Sequence, residues 1–156
     1  MKTLLVLCSF LIFGVSNGQG GMIQYRTMIK HLTGYSYSKM FENYGCSCDN
    51  RDNVSPEDHV DRCCWRHKCC YKMIGAKCGA EWRPYDYSFE ANDLHCDTSS
   101  LCKNKICICD MNFAYCLKFQ LLHFSWKIRK YDRRKCNQSN STCPASIQFP
   151  AASRLS

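Results

Sequence analysis

The chain has 156 residues, 21 Lys+Arg against 13 Asp+Glu for a formal net charge of +8, and 15 cysteines. That length suits one domain, and cysteine at about one residue in ten marks a disulfide scaffold that a reducing cytosol would not suit. Hydrophobic residues at 46% and aromatic residues at 13% supply a core, which excludes long disorder, coiled coil and collagen.

Lys2 and the apolar run Leu4–Phe13 open the chain, and Gly18 and Gly20 follow as small residues two apart. The run is too short to span a bilayer, so residues 1–20 read as a secretory signal, with cleavage after Gly18 as the competing site. Its removal takes Cys8 and Lys2, leaving 14 cysteines and a charge of +7. An even count in an oxidising compartment predicts seven disulfides, no free thiol and a soluble secreted protein.

Met22, Tyr25, Met28, Ile29 and Leu32 recur at three- and four-residue steps before Gly34, which predicts a short amphipathic helix. A loop rich in Asp, Asn and Cys, 46–53, comes next. Ser55-Pro56-Glu57-Asp58 then reads as an N-cap, a first-turn proline and first-turn acids, launching a helix through about Met73. Gly75, Gly79 and Pro84 with alternating Tyr85, Tyr87 and Phe89 predict a turn and a small β-hairpin within 75–100. A second long helix is expected over about Lys105–Leu122. Residues 144–156 form a flexible C-terminal extension.

Cys63-Cys64 and Cys69-Cys70 share a predicted helix, so neighbouring sulfurs point in different directions and neither vicinal pair bonds internally. Zinc at Cys46-x-Cys48 and Cys107-x-Cys109 is the lesser reading, because one-residue gaps are tighter than common structural-zinc spacing.

Three segments carry a resemblance: Tyr44-Gly45-Cys46-Ser47-Cys48, Asp61-Arg62-Cys63-Cys64-Trp65-Arg66-His67-Lys68-Cys69-Cys70-Tyr71, and Cys107-Ile108-Cys109-Asp110 with Cys116 beyond. Together they resemble the secreted phospholipase A2 family, and the cysteine set ending at Cys143 resembles its group II branch. The resemblance spans residues 21–143. It implies a mainly α, disulfide-rich fold with two long antiparallel disulfide-linked helices, an N-terminal helix and a small β-wing. It also implies the pairs Cys46–Cys136, Cys48–Cys64, Cys63–Cys116, Cys69–Cys143, Cys70–Cys109, Cys78–Cys102 and Cys96–Cys107.

In that family a helix histidine accepts a proton from water, an aspartate on the facing helix orients it, and Ca²⁺ polarises the ester carbonyl. By motif the resemblance implies His67 as base and Asp110 as orienter, with Tyr71 and Tyr85 hydrogen-bonding that carboxylate. The calcium positions depart from the pattern. The family follows its histidine with an aspartate that ligates Ca²⁺, where this chain has Lys68, a cation with donors and no acceptor. The family's glycine-rich loop is replaced by Asp49-Asn50-Arg51-Asp52, so Ser47, Asp49, Arg51 and Lys68 are degenerate calcium positions and no cofactor is expected. Lysine at this position also occurs in viper homologues that damage membranes without hydrolysis.

Residues 117–135 hold seven Lys or Arg and one acid, interleaved with aromatics. Lys118, Phe124, Trp126, Lys127, Arg129, Lys130, Arg133, Arg134 and Lys135 suit an anionic phospholipid surface. Equally, Leu117, Leu121 and Phe124 suit helix core beneath a solvated basic face. No nucleic-acid-binding motif accompanies the charge.

The expected function is therefore membrane binding without calcium-dependent hydrolysis, with membrane perturbation through the basic-aromatic segment 117–135. The alternatives are an active calcium-dependent enzyme cleaving the sn-2 ester of phospholipids, with Ca²⁺ as cofactor, or a non-lytic ligand for a receptor or heparan sulfate. Asn53, Asn137 and Asn140 open N-glycosylation sequons, as expected of a secreted protein.

Overall fold

The computed structural model describes residues 20–49, 54–80, 83–138 and 142–145. Residues 1–19, 50–53, 81–82, 139–141 and 146–156 lie outside that set, so residues 1–19 of the signal, Asn50, Arg51 and Asp52 of the loop, the sequon asparagines Asn53 and Asn140 and most of the extension are not located. Helix α1 spans Gly20–Thr33, α2 Tyr37–Met40, α3 His59–Ile74, α4 Leu101–Gln120 and α5 Trp126–Arg129. Strands β1 (Tyr87–Glu90) and β2 (Asp93–Cys96) form an antiparallel hairpin between α3 and α4.

Burial follows the helical period. In α1, Met28, Ile29 and Leu32 are buried, and Gly34 ends the helix at φ 77° with its N–H on the Lys30 carbonyl. In α4 the stripe Ile106, Cys109–Asp110, Phe113–Ala114 and Cys116–Leu117 faces inward and packs against both α1 and α3. Helix α3 turns Cys63, His67 and Cys70 toward α4, while the buried Cys64 faces the loop through its bond to Cys48.

Two boundaries differ from the sequence expectation. Helix α3 starts at His59, because Asp58 is its N-cap and accepts from the Asp61 N–H at 2.8 Å. Ser55 instead donates its N–H to the Asn137 carbonyl, beside a lone bridge between Val54 and Gln138, which holds the segment extended. Helix α4 begins at Leu101, four residues before the expected start, and ends at Gln120.

The hairpin turns through Ala91 and Asn92, both at positive φ, as a two-residue loop between right-twisted strands demands. Tyr115 of α4 donates to Asp93 and accepts from the Leu94 N–H, fastening the hairpin to the helix.

All fourteen cysteines after Cys8 are paired, and the seven pairs are those the resemblance implies. Cys63–Cys116 and Cys70–Cys109 join α3 to α4. Cys46–Cys136 joins the loop after α2 to the C-terminal segment.

That loop is organised by one carboxylate. Asp61 is fully buried in the first turn of α3 and accepts from the N–H groups of Cys46 (2.8 Å), Ser47 (2.7 Å) and Glu57 (2.9 Å). Burial raises its pKa while the three backbone donors oppose the shift. Gly45 makes the approach possible: its φ is 56°, and a Cβ there would stand 2.5 Å from the Asp61 carboxylate. Gly45→Ala is expected to destabilise the fold by about 2–4 kcal/mol, combining backbone strain with displaced hydrogen bonds, measured by denaturant unfolding with disulfides intact. An unchanged midpoint would mean the loop is not held this way.

Candidate functional site

His67 and Asp110 face each other across the α3–α4 seam. His67 Nε2 lies 2.6 Å from Asp110 Oδ1, with Asp110 fully buried and His67 9% exposed. An ionised carboxylate only accepts, so Nε2 carries the hydrogen and Nδ1 keeps the lone pair that can take a proton from water. Tyr71, one turn after His67, donates its hydroxyl to Asp110 Oδ1 at 2.5 Å. Tyr85, just before the hairpin, donates to Asp110 Oδ2 at 2.6 Å. Gln24 of α1 brackets the Tyr85 backbone, accepting from its N–H at 3.1 Å and donating to its carbonyl.

The four residues named by motif thus meet at one carboxylate. Asp110 holds the imidazole in one tautomer and orientation, and the two phenols fix the carboxylate in turn.

Aromatic rings enclose the base. Phe113 stacks on the His67 ring at 4.2 Å with 7° between planes, Tyr71 lies at 4.3 Å, and Tyr25 of α1 presents an edge at 5.5 Å. Tyr37 packs on Tyr25 and Phe113 behind them. The motif reading gave no role to Phe113, Tyr25 or Asp61. Phe113 had a signal, since it follows Asp110 by three residues and shares its helix face.

The calcium positions offer a poor donor set. Lys68 adjoins His67 on α3 and brings a cation where a carboxylate would be needed. Ser47 is buried with its N–H on Asp61, and its hydroxyl has no hydrogen-bond partner among the described residues. Asp49 is 3.5 Å from Arg133 through its carboxylate, and Arg133 also donates to Asn43 Oδ1 at 3.2 Å. Among the described residues no three His, Cys, Asp or Glu side chains group in a way that could hold a metal. Among the described residues, Lys68 and the Arg133-engaged Asp49 suit Ca²⁺ poorly.

The basic segment divides by exposure. Lys118, Lys127, Lys130 and Lys135 are exposed, as are Phe119, Leu122 (96%) and Trp126 (61%). Phe124 is half-buried, its ring against Phe41 and Tyr44, and Leu117 and Leu121 join the same core. For Phe124 the placement is thus the core one. Arg129 is half-buried, and Arg134 pairs with Asp132 at 2.9 Å. Asn137 is exposed.

Seven disulfides thus close a helical scaffold around a buried histidine–aspartate pair. The phospholipase A2 family profile matches residues 22–127. A membrane-associated phospholipase A2 of Homo sapiens is 33% identical over 144 residues, covering 92% of this chain and all of that one. A basic phospholipase A2 homolog of Protobothrops mucrosquamatus is 33% identical over 143 residues, with 92% and 100% covered. The group IID secretory phospholipase A2 of Mus musculus is 33% identical over 144 residues, with 90% and 99% covered. The chain belongs to the phospholipase A2 family.

Burial, then the Asp110 charge, then the hydrogen bond to Asp110 raise the Tyr71 and Tyr85 phenols far above the usual tyrosine value. A raised folded pKa gives stability that is complete below the unfolded value, about 10, and is lost as pH rises beyond it. Spectrophotometric titration is therefore expected to show Tyr71 and Tyr85 protonated above pH 10 until the protein unfolds. The Tyr71→Phe, Tyr85→Phe double variant should lose stability less steeply over that range. An equal slope in both proteins would contradict the assignment.

Proposed function

We propose that this protein is a secreted, non-hydrolytic phospholipase A2 homologue that binds anionic phospholipid surfaces without calcium. The observation that carries the reading is the assembled His67–Asp110 pair with Lys68 directly beside the base. Hydrolysis in this family needs a cation at the ester carbonyl, and an ammonium at that position opposes one. The engagement of Asp49 by Arg133 supports the same conclusion from the loop. Similarity does not separate enzyme from homologue, since relatives of both descriptions are 33% identical. Lys68 and the Arg133-engaged Asp49 are what support the non-hydrolytic reading.

Secretion accords with the pairing of every cysteine after Cys8, which leaves that one thiol in the segment read as a signal. Among the described residues no helix is long and apolar enough to cross a membrane. The protein then meets lipid as a surface: the exposed lysines supply attraction to anionic headgroups while Phe119, Leu122 and Trp126 enter the interface. Tyr71, Tyr85 and Asp110 keep a positioning role for His67 in this reading.

Vesicles of anionic and of zwitterionic phospholipid, assayed together for dye leakage and fatty-acid release, test the proposal. Binding and leakage should be confined to the anionic vesicles, with no release stimulated by Ca²⁺. Lys68→Asp alone should not restore release, because the loop remains unsuited. The Lys127→Gln, Lys130→Gln double variant should weaken partitioning by about 30-fold, at about 1 kcal/mol per basic residue. Calcium-dependent release that His67→Gln abolishes would overturn the proposal.

A further inference from the structure

Outside the His67 site, two histidines distant in sequence come together on the surface. His59 is the first residue of α3, and His123 ends the 3₁₀ turn Leu121–His123 that follows α4. Both are exposed, and their ring centroids are 5.2 Å apart with 53° between planes. We propose that this pair is a binding site for an imidazole-preferring divalent metal ion, Zn²⁺ or Cu²⁺, with water completing the coordination.

The spacing is that of chelation. With metal–nitrogen bonds of about 2.0–2.1 Å and a tetrahedral angle, the centroids of two coordinated imidazoles stand about 5.2 Å apart. The observed separation meets this value without movement of either backbone. Stacking in van der Waals contact would bring the planes nearly parallel, and these are not.

The two backbones are also held at that distance. Asp58 caps α3 immediately before His59, accepting from the Asp61 N–H with one oxygen and from the Tyr44 hydroxyl with the other at 2.6 Å. The Tyr44 hydroxyl in turn accepts from the Ser125 N–H at 3.0 Å, two residues after His123. One phenol therefore pins both flanks of the pair and holds the two backbones at a spacing that one ion can bridge once the exposed rings turn their nitrogens to it.

Ligand chemistry selects the ion. Neutral imidazole nitrogens favour Cu²⁺, Zn²⁺ and Ni²⁺, while Ca²⁺ takes oxygen ligands. Because the described residues offer no third His, Cys, Asp or Glu, the open positions fall to water and affinity is lower than at a structural zinc site. An ion bound here staples the start of α3 to the segment entering 124–136 and stabilises the folded chain by linkage.

The test uses untagged, disulfide-intact protein titrated with ZnCl₂ and CuCl₂ in a calorimeter, with CaCl₂ as the contrasting ion. One Zn²⁺ per chain should bind, with a rise in melting temperature that EDTA reverses. His59→Gln and His123→Gln should each weaken binding by about tenfold or more, since each removes one of two ligands. Both variants should melt like the parent without metal, as the side chains are exposed. His31→Gln and His95→Gln should bind as the parent does. Zn²⁺ affinity unchanged in both the His59 and His123 variants, or no saturable binding by the parent, would overturn the proposal.

Discussion

Two covalent bonds between α3 and α4 set the geometry on which everything else depends. Cys63 lies one turn before His67 and Cys70 three residues after it, and their partners Cys116 and Cys109 lie on the facing helix, Cys109 next to Asp110. The bonds close loops of 53 and 39 residues, each worth about 3–5 kcal/mol in a chain-entropy account. They bracket the seam where a carboxylate is fully buried, an arrangement that costs free energy unless every oxygen is satisfied. His67, Tyr71 and Tyr85 satisfy it with three hydrogen bonds of 2.5–2.6 Å. Cross-linking fixes the helices, and the fixed helices bring together groups that would otherwise be too costly to bury.

The histidine–aspartate geometry is independent of the residue at 68. Successive residues on a helix point about 100° apart, so the face that turns His67 to Asp110 turns Lys68 elsewhere. None of the three groups holding Asp110 contacts the carboxylate by way of that position. The scaffold can thus lose its metal ligand and keep its base in register, which is why an intact pair is weak evidence for hydrolysis. In the proposed function the discriminating feature is the donor set around it, where Lys68 and the Arg133-engaged Asp49 suit a hard cation poorly.

Much of this was legible in the sequence because cysteine spacing is a discrete signal. The resemblance named His67, Asp110, Tyr71 and Tyr85, which the fold brings together at one carboxylate, and the helical period located α1. What escaped was decided by tertiary hydrogen bonds. Ser55-Pro56 is a sound helix start in isolation, yet Asp58 caps α3 because the Tyr44 hydroxyl fixes its other oxygen, and the pairing near Asn137 draws Ser55 away. Asp61 lay in plain view inside the motif, but its role needs the backbone of Cys46 and Ser47 folded over it, with Gly45 leaving room. The aromatic enclosure of His67 joins α1, α3 and α4, so no local pattern reports it as a unit.

The basic segment shows the same dependence on partners distant in sequence. Composition alone leaves it open as a lipid-facing tail or as core beneath solvated charges, and the structure divides its side chains between core and solvent. Leu117, Leu121 and Phe124 face inward while Phe119, Leu122 and Trp126 are exposed, and the Trp126 ring meets Phe124 edge-on at 5.1 Å, so the exposed side chains rest directly on the core. The segment is fastened to the 43–49 loop by the Cys46–Cys136 bond, by Gly45 N–H on the Ile128 carbonyl, by Ser125 on Tyr44 and by Arg133 on Asp49 and Asn43. Its exposed lysines are therefore mounted on a cross-linked body. A surface prepared in this way loses less entropy on meeting a partner than a free tail of the same charge. The Arg133–Asp49 contact, at 3.5 Å, is one of the ties by which that loop fixes the frame carrying the exposed cations.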